Sequence, residues 1–466
     1  MNRTLVAGCA AVATMDDAGT ELRNASILVE DGVVAWVGAG EPPAPLREGA
    51  QVVDGTGCVA IPGLVNTHHH LYQVLTRARA QESGLFGWLT ELYPVWAGLD
   101  AEWVGAAAGA GLAELALSGC STAADHHYVF PAGRGDLLAA EIEAARAIGM
   151  RIHATRGSMD LGASRGGLPP DVVTQETDVV LAETEQAVSA WHDPAPGAMV
   201  RIGIAPCSPF SASDPLMRES AALARHLGVR LHTHIAETAD EEAFCLERFG
   251  CRPVDLLERQ DFLGDDVWLA HAVHLSDGDI AKLAASGTAV AHCPTSNLRL
   301  GSGMARVREL VDAGVPVGLG VDGSASNDGG HMLGEARQAL MVARGRGGPA
   351  AMTAREALRL GTRGGAACLG RDDLGAIEPG RRADIALFDV TGLATAGIEA
   401  DPVAGIVLAW PQRVRHLLVE GRVVVRDGQL ANVDETSLAA RGHRVAARIA
   451  ATGAAGTVAL HGEGGR

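Results

Sequence analysis

The feature that most constrains this chain is a short apolar segment, residues 62–70 with the sequence PGLVNTHHH, which ends in three consecutive histidines. On an extended strand successive side chains point to opposite faces, so His68 and His70 share one face and His69 takes the other. Two neutral imidazoles on one face of a strand end can bind zinc or iron. Taken alone, the run also fits a polar strand terminus, so the rest of the sequence has to decide.

The composition indicates a large folded protein that acts on a small molecule. With 466 residues, of which 47% are hydrophobic, the chain can bury a large core and form two or three domains. Its formal charge of −18 argues against nucleic acid or an anionic membrane as a partner. The eight cysteines form no CxxC pair, which indicates free thiols in a reducing compartment. No apolar run reaches the roughly 18 residues of a membrane span, so we expect a cytoplasmic protein.

Both ends of the chain are rich in short β-type runs separated by turn signals. Such runs occupy 4–7, 25–29, 33–37 and 51–53, and again 383–388, 414–419 and 423–425. Two β-rich ends that flank a different central region suggest that the termini meet. We therefore predict a small β-sandwich built from residues 1–60 and 371–466, the latter including a tail.

The central region, residues 61–370, alternates short apolar strands with alanine-rich helices. The predicted strands are the first histidine segment followed by 121–125, 151–154, 200–204, 229–234, 267–271, 289–292 and 317–322. Helices are predicted at 101–117, 137–148 and 215–227 among others. Eight β/α repeats of this length predict a (β/α)8 barrel, an α/β fold.

Polar residues with metal-binding or catalytic chemistry concentrate at the C-terminal ends of these predicted strands. They are His68, His70, His126, His153, Cys207, His234, His271, His292 and Asp322. Barrel enzymes build their active sites on this face, so the pattern predicts a catalytic metal centre.

Within this group, the segment 231–237 offers two histidines on one face, and either is a possible ligand. His234 lies nearer the strand end and three residues before Glu237, a spacing that lets the carboxylate overhang a metal. We expect His232 one layer deeper, as a hydrogen-bonded core histidine. Asp322 follows a glycine-rich strand, where a plain turn is the alternative, but its place at the last strand of a histidine-lined barrel favours a functional role.

Five segments together resemble the mononuclear-metal deaminases of the amidohydrolase superfamily: 62–70, 234–237, 270–271, 320–328 and 380–386. The resemblance covers nearly the whole chain, although Asn66 stands where the family more often has Asp. Within the superfamily, 70–74, 126–131 and 292–299 are most similar to 8-oxoguanine deaminases and chlorotriazine hydrolases. This narrower resemblance implies deamination of a purine-like base, with 8-oxoguanine as the first candidate, and suggests a homo-oligomer.

The resemblance also implies the residues of the site. Its metal ligands are His68, His70, His234 and Asp322, which hold one divalent metal per chain, Zn²⁺ or else Fe²⁺, since a site of this composition accepts both. A bound Zn²⁺ lowers the pKa of its water to about 7 and so supplies hydroxide to attack the amine-bearing ring carbon.

The expected catalytic residues are Asp322, which takes the water proton, His271, which holds the water, and Glu237, which protonates the adjacent ring nitrogen. For 8-oxoguanine the products would be urate and ammonia. The same hydroxide would displace chloride or an amine from an s-triazine, and isocytosine and guanine stay open as substrates.

Substrate contacts are expected from the aromatic-rich segment 71–103, where Trp88 is a candidate to stack on a flat ring. In the same segment we expect Trp96 and Trp103 to pack the segment onto the barrel. Gln73 offers an amide donor and acceptor that suit a lactam edge, and Arg156 is a candidate for a ring carbonyl.

Two other enzyme classes fit less well. Deaminases of the cytidine type need an HxE motif followed by PCxxC, which the segment around Cys207 does not supply. A binuclear hydrolase would need a bridging lysine at a strand end, and Lys282 lies in a predicted helix.

Overall fold

The computed structural model describes residues 2–409 and 412–460. The last part of the predicted C-terminal tail, residues 461–466, lies outside the described residues. The strands are β1 (Arg3–Ala13), β2 (Glu21–Glu30), β3 (Val33–Ala39), β4 (Gln51–Asp54), β5 (Cys58–Pro62), β6 (Leu64–Asn66), β7 (Cys120–His127), β8 (Arg151–Ser158), β9 (Val200–Pro206), β10 (Leu231–Ile235), β11 (Val267–His271), β12 (Ala289–His292), β13 (Val317–Leu319), β14 (Ile385–Asp389), β15 (His416–Val419), β16 (Arg422–Arg426) and β17 (Gln429–Leu430).

The α-helices surround these strands and follow them in the chain. They are α1 (Ala44–Arg47), α2 (Leu85–Trp96), α3 (Ala101–Leu117), α4 (Leu137–Ile148), α5 (Thr177–Trp191), α6 (Asp214–Leu227), α7 (Ala239–Phe249), α8 (Pro253–Arg259), α9 (Asp277–Ser286), α10 (Pro294–Arg299), α11 (Val307–Asp312), α12 (Met332–Gly347), α13 (Ala354–Arg359), α14 (Gly365–Cys368), α15 (Pro402–Leu408) and α16 (Glu435–Leu460).

Eight parallel strands, β6 to β13, pair in chain order and close into a barrel. The closing pair joins β13 to β6 through Leu319 and Asn66. The predicted (β/α)8 barrel is thus confirmed. Its last strand ends at Leu319, before the predicted end at 322, because the chain turns away there and Asp322 adopts a left-handed conformation with φ of 63°.

Local sequence explains where many helices begin and end. The side chains of Asp100, Asp136 and Ser213 accept hydrogen bonds from the first turns of α3, α4 and α6. Helices α4 and α6 end at Gly149 and Gly228 in the left-handed region, which glycine adopts without steric cost. These signals fix the crossover helices between fully buried strands such as β7.

The two ends of the chain form a separate nine-stranded sheet in the order β17-β16-β15-β14-β5-β1-β2-β3, with β4 also paired to β1. The ends meet where β14 pairs antiparallel with β5, Ile385 opposite Pro62. This confirms that both termini build one β-unit, and hydrogen bonding joins its strands into one continuous sheet. Side chains such as Val12, Ile27 and Leu387 give the unit a core of its own.

The sheet and the barrel are joined by a buried ion pair. Arg151, at the start of β8, contacts Asp384 through two hydrogen bonds, Nε to Oδ2 at 2.9 Å and Nη2 to Oδ1 at 3.0 Å. Arg151 also contacts Glu420, whose backbone N–H donates to Asp384 Oδ1. Asp384 belongs to segment 380–386, so that segment connects the two units.

In the described part of the chain, every helix is too short or too polar to span a membrane.

Candidate active site

Four side chains from three separate strands converge at the C-terminal mouth of the barrel. His68 and His70 follow β6, His234 lies on β10, and Asp322 follows β13. The Nε2 atoms of His68 and His70 each lie 3.3 Å from Asp322 Oδ1. His70 Nε2 is also 3.1 Å from His234 Nε2. Three ring nitrogens and one carboxylate oxygen therefore surround a single point.

Hydrogen bonds on the far side of two rings fix which nitrogen faces that point. His70 Nδ1 lies 2.7 Å from the His126 carbonyl oxygen, and His234 Nδ1 lies 2.6 Å from the Cys207 carbonyl oxygen. A carbonyl can only accept, so each Nδ1 carries the proton and donates it. Each Nε2 consequently presents a lone pair to the shared point.

His68 is oriented through a second histidine. His232 Nδ1 lies 2.6 Å from the Trp268 carbonyl oxygen and donates to it, which leaves His232 Nε2 as an acceptor. His68 Nδ1 lies 2.8 Å from this acceptor, so it carries the proton and its Nε2 is a lone pair. His232 is thus the hydrogen-bonded histidine one layer deeper that the sequence predicted, and its ring stacks on Trp268.

These side chains fit a divalent transition metal. Burial lowers the pKa of His68, His70 and His234 below the usual value, that of His70 to about 4, so the three rings are neutral and could each offer a lone pair to a metal. His68 Nε2 has no hydrogen-bond partner in the part of the chain that the structure describes. Three imidazole nitrogens with one carboxylate form a donor set that Zn²⁺ and Fe²⁺ both accept. A further histidine, His126, stacks on His234, and its own Nε2 donates to the Ala205 carbonyl oxygen.

Asp322 is held by hydroxyl groups that the sequence analysis did not single out. Its Oδ2 accepts from Ser296 Oγ at 2.5 Å and from Ser326 Oγ at 3.1 Å, and its Oδ1 accepts from Gly323 N. Burial acts to raise the pKa of Asp322, but the adjacent His68 and His271 side chains outweigh it and hold the pKa well below its usual range. Both serines lie in segments that carried the resemblance, so motif position was the available signal.

Glu237 and His271 lie beside this group and contact each other. His271 Nε2 is 3.6 Å from Glu237 Oε2 and 4.0 Å from Asp322 Oδ2, while its Nδ1 lies 2.9 Å from Asn297 Oδ1. Burial raises the pKa of Glu237 to about 7, His271 acts to lower it, and Asp322 acts to raise it. Burial lowers the pKa of His271, but Glu237 and Asp322 raise it more, above its usual value. The carboxyl is thus poised to give up a proton near neutral pH.

A narrow cavity opens over these groups and is walled mainly by apolar and aromatic side chains. Its lining includes Leu85, Trp88, Leu89, Tyr93, Tyr128, Cys207, Phe210 and Leu300, together with His70, His234, Glu237, His271 and Asp322. Such walls suit a flat heterocyclic ring. Tyr128 and Phe210 were missed as cavity residues by the sequence analysis, although Tyr128 lies in the segment 126–131 that carried the narrower resemblance.

The aromatic segment 71–103 divides between cavity and core. Trp88 faces the cavity and its indole N–H donates to the Ala325 carbonyl oxygen at 3.0 Å. Trp96 and Trp103 pack into the core between this segment and the barrel, as predicted, with their indole N–H groups donating to Thr76 Oγ1 and the Tyr72 carbonyl oxygen.

Gln73 lies one layer behind the cavity. Its side chain packs so closely against Gly323 that any side chain there would overlap Gln73 Oε1. Its Nε2 lies 3.4 Å from the Tyr72 hydroxyl, and its Oε1 has no hydrogen-bond partner among the described residues.

Arg156 does not reach this cavity, which corrects the prediction of a substrate contact. Strand β8 continues past 154 to Ser158, so Arg156 is a strand residue on the face opposite His153 and points away from the barrel axis. Its guanidinium donates to Glu183 Oε2 at 2.6 Å and Gln175 Oε1 at 2.7 Å, and lies over the Phe130 ring. His153, also predicted near the site, packs against Trp268 inside the barrel.

Comparisons with known proteins agree with this geometry. The model of the amidohydrolase family matches residues 59–424. The chain is 47% identical to 8-oxoguanine deaminase of Pseudomonas aeruginosa, over 96% of this chain and 99% of that protein. It is 39% identical to hydroxydechloroatrazine ethylaminohydrolase of a Pseudomonas species, over 96% of both chains. Among solved structures, atrazine chlorohydrolase from Arthrobacter aurescens complexed with zinc superposes with a TM-score of 0.91 at 36% identity, covering 95% of this chain and all of that one.

Proposed function

Since the chain belongs to the amidohydrolase family, we propose that it is a metal-dependent aminohydrolase that converts 8-oxoguanine and water to urate and ammonia. The observation that carries the reaction type is a buried Glu237 with a pKa of about 7, which contacts His271 at the edge of a three-histidine, one-aspartate centre. The substrate rests on the 47% identity to an 8-oxoguanine deaminase over nearly the full length of both chains.

In this proposal His68, His70, His234 and Asp322 hold one divalent metal ion, with Zn²⁺ the first candidate and Fe²⁺ the second. The three Nε2 lone pairs and Asp322 Oδ1 that face one another are the atoms that would bind it. When bound, the metal acidifies a water molecule so that hydroxide is available near neutral pH.

Protein side chains then donate and accept the protons that the reaction moves. His271 donates from Nε2 to orient the attacking oxygen, and Asp322 accepts the proton that the water gives up. Glu237 in its protonated form donates to the ring nitrogen next to the amine-bearing carbon, so the attacked ring does not accumulate negative charge. Asp322 returns its proton to the departing amine and ammonia leaves. The hydroxyl proton of the intermediate passes to the Glu237 carboxylate as the carbon–oxygen bond becomes the new carbonyl of urate, which restores both carboxyl groups to their starting state.

Substrate binding is assigned to the cavity walls. Trp88, Tyr93 and Phe210 offer aromatic surface to a flat bicyclic ring. Gln73 stays a proposed contact although it lies behind the cavity wall, because a ring that reached past this wall would offer an N–H to its buried Oε1, which is unpartnered within the described structure. We expect Gln73→Ala to raise the KM more than it lowers kcat.

The second candidate is hydrolysis of an s-triazine, by loss of chloride or of an amine. It is favoured by the structural likeness to a zinc-containing atrazine chlorohydrolase, which spans nearly the whole chain. The proposed metal ligands and acid serve either leaving group, so the cavity walls decide between the two substrates.

The same family likeness supports coarser expectations about the protein in the cell. The substrate is a small heterocycle, and we propose a cytoplasmic homo-oligomer that binds no nucleic acid. Light scattering of the purified protein measures the oligomeric state directly, and a monomer would refute that part of the proposal.

The decisive experiment measures ammonia and urate release by purified protein of known metal content. Its substrates are 8-oxoguanine, isocytosine, guanine and a chlorotriazine. We expect fast urate formation from 8-oxoguanine, and a loss of at least about a thousandfold in kcat for Glu237→Gln with its metal content unchanged. Glu143→Gln is the control, because that carboxylate is exposed on α4 and pairs with Arg146, outside the site. Turnover of the triazine alone would replace the first candidate by the second.

A further inference from the structure

A second cluster of metal-binding side chains lies outside the barrel wall, between strand β7 and helix α4. Asp125 and His127 are alternate residues of β7 and share its outward face, while Glu141 projects from α4. One ligand atom from each of the three lies within 4.8 Å of the other two, and all three residues are at most 1% exposed.

Within the described structure, several acceptor atoms of this cluster face one another without a hydrogen-bond donor between them. Asp125 Oδ1 accepts from Leu71 N at 2.5 Å, but its Oδ2 has no partner, and neither oxygen of Glu141 has one, among the residues that the structure describes. His127 Nε2 lies 3.1 Å from the Val129 carbonyl oxygen and so donates to it. His127 Nδ1 is therefore a buried lone pair, 3.4 Å from Glu141 Oε2 and unpartnered in the same part of the chain.

In the described part of the chain, the cluster also lacks a nearby positive charge that is free to pair with its two carboxyl groups. Were both carboxyl groups ionised beside the neutral imidazole, the site would carry two negative charges without solvent contact, a state that burial strongly disfavours. The nearest cation on the neighbouring strand, Arg156, is engaged by Glu183 and Gln175. A single dication would balance the charge and satisfy all four lone-pair atoms, whereas one shared proton would satisfy two.

We propose that Asp125, His127 and Glu141 bind a second, structural divalent metal ion that ties β7 to α4. Two carboxylate oxygens and one imidazole nitrogen suit Zn²⁺, Mn²⁺ or Fe²⁺ better than the all-oxygen preference of Ca²⁺ or Mg²⁺. Because Asp125 also accepts from Leu71 N, next to His70, the ion would brace the segment that carries the first histidine pair. Its burial implies that it enters during folding and exchanges slowly with chelators.

The test counts metal in protein expressed with added zinc and purified without chelator, by inductively coupled plasma mass spectrometry. Wild-type protein is expected to hold two equivalents per chain, and Glu141→Gln, which keeps the shape and adds an amide donor, one. His234→Ala removes a ligand of the barrel mouth and should also leave one equivalent. The control Glu143→Gln alters an exposed carboxylate of the same helix, which pairs with Arg146, and should leave two.

A crystal of the wild-type protein makes the test independent of how the variants fold. Anomalous difference maps at the zinc edge should show one peak at the barrel mouth and another between β7 and α4. A single peak at the mouth, with one equivalent in both wild type and Glu141→Gln, would overturn the proposal. It would mean that the cluster holds protons instead, as the burial-raised pKa of Glu141, about 8, allows.

Discussion

At the scale of single residues, His232 determines which nitrogen His68 presents to the barrel mouth. Without it, His68 could protonate at either nitrogen, and the Nε2 lone pair would no longer be guaranteed. We expect His232→Leu to weaken metal binding about 10- to 100-fold, measured by competition with a chromogenic chelator. His232→Gln should lose less, because its amide can accept from His68 and donate to the Trp268 carbonyl oxygen. Equal losses in the two variants would show that the packing of this side chain on Trp268, and not its hydrogen bond with His68, supports metal binding.

The raised pKa of Glu237 predicts how activity depends on pH. The protonated carboxyl is the proposed acid, and its pKa of about 7 means that this form is lost as the pH rises through neutrality. We therefore expect kcat/KM to fall about tenfold per pH unit on the alkaline side. The neighbouring carboxylate of Glu241 helps to raise this pKa, so Glu241→Gln should move the alkaline limb to lower pH. An alkaline limb that Glu241→Gln leaves in place would assign the titration to another group.

At the scale of secondary-structure elements, a buried ion pair between Arg151 and Asp384 connects β8 to the terminal sheet. Removing Asp384 leaves the Arg151 guanidinium buried beside an incomplete set of partners, which typically costs about 3–5 kcal/mol. Asp384→Asn should lower the urea midpoint accordingly. The double variant Arg151→Met with Asp384→Leu should lose less unfolding free energy than the sum of the losses in Arg151→Met and Asp384→Leu measured separately. The surface pair of Arg146 and Glu143 is the control, because Arg146→Ala should cost less than about 1 kcal/mol.

The elements were largely predictable because their signals are local. Apolar strand runs, capping residues such as Asp100 and terminal glycines such as Gly149 fix the barrel repeats along the sequence. Arg156 was misplaced because β8 runs four residues past its predicted end at 154, which turns a loop position into an outward strand position. The hydroxyls on Asp322 come from residues far apart in the chain, so only the fold brings them together. The domain boundaries near residues 60 and 370 stay a prediction.

At the scale of the whole molecule, the proposed metal would join strands that the barrel itself joins weakly. Its ligands come from β6, β13 and β10, and β10 stands on the opposite side of the ring from β6. The closing pair of β13 with β6 registers at a single residue pair, whereas β8 and β9 register at seven. The proposed metal would therefore act across both the seam and the diameter of the barrel mouth.

Removing this metal should loosen the seam before it affects the rest of the fold. We expect amide hydrogen exchange in residues 64–70, 231–235 and 317–322 to rise strongly after chelator treatment, because these segments lose the metal that they share and keep only hydrogen bonds such as those of Thr67 to Leu319. Strands β1 and β2 of the terminal sheet, paired over most of their length, serve as the internal reference and should change little. The His234→Ala variant should show the loosened pattern without chelator. A rise spread evenly over barrel and sheet would instead mean that the metal stabilises the molecule only as a global unit.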